Sequence, residues 1–166
     1  GSGKSTLIDI LSGILKGKDV QLKIDDKVLE SDFERYDLQK KIGLIPQNIS
    51  IINDTLKANV LFGLEQEKFS NKEILNILEV SNLTNLLSNL PEGLNHKIKE
   101  RGINFSGGEI QRIGIARALI FNPEILIFDE ATSALDTFTE NEILKDINSL
   151  SKKTIIMISH RMNTLK

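Results

Sequence analysis

No cysteine occurs in the 166 residues, which removes disulfides and thiolate metal sites and fits a reducing compartment. No apolar run reaches the roughly 20 residues needed to cross a bilayer, and no charged-then-apolar signal segment opens the chain. Any membrane connection is therefore expected from a partner or from sequence outside this chain. Nor is there an excess of positive charge. Lys and Arg total 21 against 23 Asp and Glu, and the basic residues are scattered, so there is no nucleic-acid footprint and no nucleic-acid partner is expected. What the chain has is 40% hydrophobic residues over a length usual for one globular domain, enough to bury a core.

The opening Gly1-Ser2-Gly3 turn runs directly into Leu7, Ile8, Leu11, Ile14 and Leu15, a stripe at helical spacing that predicts a first helix ending at Gly17. Val20, Leu22 and Ile24 alternate with polar residues, Asp25-Asp26 turns the chain and Val28-Leu29 returns, which predicts a short antiparallel hairpin. Ile42 to Ile45 is a β-prone run ended by Pro46. From about Asn53 to Phe121 the pattern is helical, with capping boxes at Ser70/Glu73 and Ser106/Glu109. The uninterrupted apolar run Ile125 to Phe128 predicts a parallel strand covered on both faces, ending in Asp129-Glu130. A helix follows from about Phe138 to Leu150, with Thr137/Glu140 and Thr139/Glu142 as competing caps. Thr154 to Ile158 is a second buried-strand run, ending in Ser159-His160-Arg161. A glycine loop feeding a helix and two buried strands with polar carboxyl ends indicate an open α/β sheet that binds ligand beyond its strand ends.

Gly1-Ser2-Gly3-Lys4-Ser5-Thr6 fits the second half of a P-loop, where backbone N–H groups and a lysine surround phosphates and a hydroxyl holds Mg²⁺. A Gly/Ser opening is also what a linker or a cloning scar looks like; the helix that begins at once favours the phosphate reading, because its N-terminus adds a positive dipole end. A carboxylate at a strand end, Asp129, can hold Mg²⁺, and its neighbour Glu130 can deprotonate an attacking water. A solvent-facing acidic strand terminus is the plain alternative for such a pair taken alone. Ser106-Gly107-Gly108-Glu109 can be only a capping box, yet two adjacent glycines cost helix stability and are better explained where a backbone approaches a ligand closely. His160 and Gln47 are uninformative singly.

Taken in order, these motifs resemble the nucleotide-binding domain of ABC transporters over nearly the whole chain. Gly1 to Thr6 resembles the Walker A remnant, Gln47 the Q-loop, Phe105 to Glu109 the signature, Ile125 to Asp129 with Glu130 the Walker B strand, Ser133 to Asp136 the D-loop, and His160 the switch histidine. The resemblance implies an α/β P-loop NTPase fold: an ATPase core over 1–47 and 122–166, an inserted helical signature subdomain over about 48–121, and the antiparallel hairpin. It implies ATP and Mg²⁺ as cofactors, with Gly1, Ser2, Gly3, Lys4, Ser5, Thr6, Ser106, Gly107 and Gly108 on the nucleotide. Ser5, Gln47 and Asp129 would hold the metal, and Glu130, His160 and Gln47 would act in hydrolysis. The implied partners are a second nucleotide-binding domain, head to tail, and a transmembrane domain fused upstream, at the cytoplasmic face of the cell membrane.

Glu109 stands where the family has glutamine, and Phe105 where leucine is usual. Lys99-Glu100-Arg101-Gly102 and Ile45-Pro46-Gln47 with Asn53 to Val60 resemble exporter segments, which implies export, with lipid, lipid-linked sugar or peptide as cargo. A soluble ABC-type ATPase of DNA repair or translation, and a truncated remnant with no activity, are the alternatives. The family pattern further implies a strand before Gly1 that would neighbour those at Ile125 and Thr154, without which the chain as given is expected to bind ATP poorly.

Overall fold

The computed structural model describes residues 3–17, 20–98, 105–132, 134–150 and 153–158. Along them run α1 (Lys4–Leu11), the strands β1 (Lys23–Ile24) and β2 (Lys27–Val28), α2 (Asp32–Lys40), β3 (Ile42–Ile45), the helices α3 (Leu56–Val60), α4 (Asn71–Val80), α5 (Thr84–Asn89) and α6 (Gly107–Leu119), then β4 (Ile125–Asp129), α7 (Thr137–Leu150) and β5 (Thr154–Ile158). This is the expected mixed α/β arrangement. β1 and β2 pair antiparallel through a turn in which Asp25 and Asp26 both take positive φ, 48° and 65°, the geometry a two-residue hairpin requires.

The main sheet is parallel, in the order β3-β4-β5. Ile42 stands opposite Ile125 and Ile45 opposite Phe128, and on the other edge Ile125 stands opposite Thr154 and Asp129 opposite Ile158. Leu126, Ile127 and Phe128 are fully buried, as an uninterrupted apolar run in a central parallel strand must be. Because both edges of β4 are paired, a further strand can neighbour β5 or β3 but not the strand at Ile125, contrary to expectation. β5 is also less covered than its apolar run suggests. Ile155 and Met157 are half-buried against the core, since β5 is an outer strand among the described residues.

Two hydrophobic clusters share α6. One joins Ile115, Ala118 and Leu119 of α6 to Ile45, Leu126, Phe128, Ile143 and Ile147 around the sheet. The other joins Ile113 and Ala116 to Leu56, Val60, Ile74, Leu78 and Leu83 of the helical middle. α6 is thus the common wall between sheet and helices.

Two local expectations are corrected and one helix is added. The first helix stops at Leu11 rather than Gly17, because Gly13 adopts φ 73° and closes the helix end, leaving Ile14 and Leu15 exposed. An unforeseen helix, α2, is started by a full capping box between Ser31 and Glu34; Ser-x-x-Glu was readable at that place. Neither Thr137 nor Thr139 caps α7. The Asp136 carboxylate accepts the Thr139 N–H at 2.9 Å and the Thr139 hydroxyl at 2.7 Å, and a charged acceptor at a helix start outcompetes a threonine hydroxyl. The boxes at Ser70/Glu73 and Ser106/Glu109 form as expected.

Candidate active site

Parallel strands point their carboxyl ends the same way, so the residues after β3 and β4 gather at one rim of the sheet. The Gln47 side-chain amide donates to the Glu130 carboxylate at 3.2 Å, across 83 residues of sequence. Glu130 itself has φ 53°, a left-handed conformation that costs a non-glycine residue about 1–2 kcal/mol. Its N–H is held by the Ile158 carbonyl at 3.0 Å, so the end of β5 helps fix the turn that presents this carboxylate. Strained backbone of this kind collects at sites where geometry matters more than stability.

Next to it, the Asp129 carboxyl titrates above its ordinary range. Partial burial is the main cause, the negative charges of Glu130 and Asp9 add to it, and the positive charge of Lys4 works against it. Lys4, on the first turn of α1, therefore lies within electrostatic reach of Asp129. Asp9 was not foreseen as part of this neighbourhood; its spacing of four from Ser5 puts it on the same helix face, which was the available signal.

α1 differs from the other longer helices in how it begins. α2, α4 and α6 each open with a serine whose side chain accepts a backbone N–H. α1 opens on Gly3, with φ 75° and no side-chain cap. A Cβ built on Gly3 meets nothing within 4 Å, so there is open space beside the start of this helix. A helix start without a side-chain cap, its positive dipole end and a lysine on the first turn are features that favour an anion. Ser5 and Thr6 are exposed on the same first turn.

No group of three or more His, Cys, Asp or Glu among the described residues could hold a metal by itself. Mg²⁺ is usually bound through one or two carboxylates together with substrate phosphates rather than in a protein cage. The Asp129 carboxylate, the Ser5 hydroxyl and the Gln47 side-chain oxygen are hard oxygen donors of the kind that suit Mg²⁺, and a cation there would offset the negative charge that Glu130 and Asp9 place near Asp129.

Ser106, Gly107 and Gly108 stand in different surroundings. The Glu109 carboxylate accepts the Ser106 N–H at 2.7 Å and the Ser106 hydroxyl at 2.8 Å, and the Glu109 N–H returns to that hydroxyl at 3.2 Å. A Cβ on Gly107 would touch the Ala134 Cβ at 3.4 Å, and one on Gly108 the Ala134 carbonyl at 3.4 Å. The glycines thus have an intramolecular neighbour that sequence reasoning missed, the loop after Glu130. Gln111, buried, clamps it by accepting the Ala134 N–H at 2.9 Å. Gly1, Ser2 and His160 lie outside the described residues, as do Ser133 and Lys99 to Gly102.

Residues 1–133 match the family model described as ABC transporter. A Rickettsia prowazekii protein bearing the name of an export ATP-binding/permease protein is 40% identical over 167 residues, which is 100% of this chain and 28% of that protein. A mitochondrial iron–sulfur clusters transporter, atm1, of Aspergillus fumigatus is 37% identical over 168 residues, 99% of this chain and 23% of its own length. Among solved structures, a bacterial Atm1-family ABC exporter with ATP bound superposes with a TM-score of 0.87 at 35% identity, over 98% of this chain and 28% of that one. The chain spans roughly a quarter of the length of these relatives.

Proposed function

Because the chain belongs to the ABC transporter family, we propose that it binds and hydrolyses ATP to drive export by a larger membrane protein. The observation that carries this reading is the convergence of Lys4, Gln47, Asp129 and Glu130, from three separated stretches of chain, at one rim of the sheet. Lys4 and the backbone amides of Gly1 to Thr6 bind the β- and γ-phosphates. Ser5, Gln47 and Asp129 would hold Mg²⁺, whose charge offsets that of the phosphate oxygens. Glu130 is the general base: the water oxygen bonds to the γ-phosphorus, its proton passes to the Glu130 carboxylate, and the bond to the β-phosphate oxygen breaks to release ADP. The Gln47 amide holds that carboxylate, and His160 contacts the γ-phosphate.

The relatives' length and names support a membrane permease part joined to this domain, which would place it at the cytoplasmic face. No helix among the described residues is long and apolar enough to cross a membrane. Ser106, Gly107 and Gly108 serve the ATP of a second, head-to-tail copy. The separate surroundings of these residues and of Lys4 are consistent with two half-sites per copy. The division into a core over 1–47 and 122–166 and a helical subdomain over about 48–121 is supported by the two hydrophobic clusters, with α6 belonging to both. The mitochondrial relatives' name adds iron–sulfur clusters to the lipid, lipid-linked sugar and peptide classes of cargo. No observation favours the soluble repair or translation ATPase.

The test is Glu130→Gln in the full-length protein. The amide keeps shape and hydrogen bonding but cannot take the proton, so ATP binding should persist while turnover falls by about 100-fold or more. Parental turnover would refute the assignment.

A further inference from the structure

Leaving β3, the chain carries Gln47 past Glu130 and then lies down on α6. There the Ile49 side chain sits directly over Gly114. A Cβ at Gly114 would stand 2.4 Å from Ile49 Cδ1 and 2.7 Å from its Cγ1, closer than atoms can approach. Glycine inside a helix costs about 1 kcal/mol relative to alanine, so its presence here is accounted for by contact and not by propensity.

One turn further along α6, Arg117 fastens the same stretch. Its guanidinium donates to the Ser50 carbonyl at 2.7 Å, to the Asn59 side-chain oxygen at 3.1 Å and to the Asn59 carbonyl. Asn59, fully buried, in turn accepts the Ile52 N–H at 2.9 Å and donates to the Ile52 carbonyl at 3.0 Å. Residues 49–52 are therefore fixed to α6 by shape at one point and by a hydrogen-bonded fork at the next. Gln47 is two residues away, within about 7 Å of chain. Relieving contacts of 2.4 and 2.7 Å requires the Ile49 side chain to turn or shift by about 1 Å in close-packed surroundings, and because Arg117 holds Ser50 on one side, that displacement bears on the two residues that lead back to Gln47 and its 3.2 Å bond to Glu130.

We propose that Gly114 and Arg117 are positioning residues for Gln47: through Ile49 and Ser50 they set its amide against the Glu130 carboxylate. The proposal rests on the reading of Gln47 and Glu130 as parts of the ATP-hydrolysing site. It makes Gly114 a choice matched to Ile49, because a side chain at 114 would collide with Ile49.

The experiment uses the full-length transporter, with steady-state ATPase kinetics and melting temperature measured on each variant. Gly114→Ala should lower kcat about five- to tenfold while the KM for ATP stays within about twofold. Adding Ile49→Ala, which removes the clashing atoms, should restore kcat to within about twofold of Ile49→Ala alone. In a Gln47→Ala background, Gly114→Ala should have no further effect on kcat, since the residue it positions is gone. Arg117→Lys keeps the charge but loses the fork, and should repeat the kcat loss and its absence in the Gln47→Ala background. This second variant decides the matter if Gly114→Ala does not fold. Failure of Ile49→Ala to restore kcat, or equal losses with and without Gln47, would overturn the positioning role while leaving Gln47 in place. Parental turnover by Gln47→Ala alone would instead overturn the reading of Gln47 on which the proposal stands.

Discussion

Removing the Asn59 side chain is expected to loosen the segment that joins Gln47 to the helical middle, and its cost can be worked from the contacts. In Asn59→Ala the Ile52 N–H loses its acceptor outright. The carbonyls of Ile52 and Thr55 lose the Asn59 amide but keep one donor each, from the N–H groups of Asp54 and Asn59, both at 2.9 Å. Arg117 keeps the Ser50 carbonyl and the Asn59 backbone carbonyl. An orphaned buried N–H costs about 1–3 kcal/mol and a lost bond whose partner stays satisfied about 0.5–1.5 kcal/mol. Ile52 is only half-buried, so water can partly repair its N–H. The expected loss is therefore about 2–4 kcal/mol, in the lower part of the summed range. Equilibrium urea unfolding of the ATP-binding domain reads it as a lower midpoint with unchanged slope. Asn59→Asp should lose less. It keeps the oxygen that serves Ile52 and Arg117 and gains charge attraction to the guanidinium, against a second oxygen turned to carbonyls. A loss below about 0.5 kcal/mol for Asn59→Ala, the size of an ordinary surface substitution, would refute the reasoning.

Two further outcomes follow from the geometry. Glu109→Gln should change ATPase activity less than about tenfold, or roughly 1.4 kcal/mol of barrier, because the carboxylate is occupied in capping Ser106 and an amide can cap as well; a larger loss, in steady-state assays, would give it a direct part in chemistry. The Glu34 carboxyl is held down to about 2 by Lys27 first, then by the N–H groups of Ser31 and Glu30 and the Ser31 hydroxyl. Its folded pKa lies below the unfolded value of about 4.3, so its contribution is full above that pH and is lost as pH falls toward 2. The melting-temperature gap between the parent and Glu34→Gln should be present near neutral pH and close in that acid window; a gap independent of pH would refute it.

Much of the fold was legible because its signals are local. The apolar run at Ile125 to Phe128, the hairpin turn at Asp25-Asp26 and the serine boxes at Ser70 and Ser106 each carry their own physical cause within a few residues. The same holds for the family motifs from which Lys4, Gln47, Asp129 and Glu130 were singled out. Where local rules compete, the sequence misled. The stripe to Leu15 continues past Gly13, whose positive φ ends the helix, and Asp136 outcompetes the threonines as cap of α7. What the sequence could not contain is which distant groups meet. That Gln47 bonds Glu130, that Gln111 clamps Ala134 and that Gly114 makes room for Ile49 depends on the β3-β4-β5 order and on α6 lying between two cores. Those contacts join residues tens of positions apart, and no periodicity or propensity encodes them; close packing of the assembled layers alone decides them.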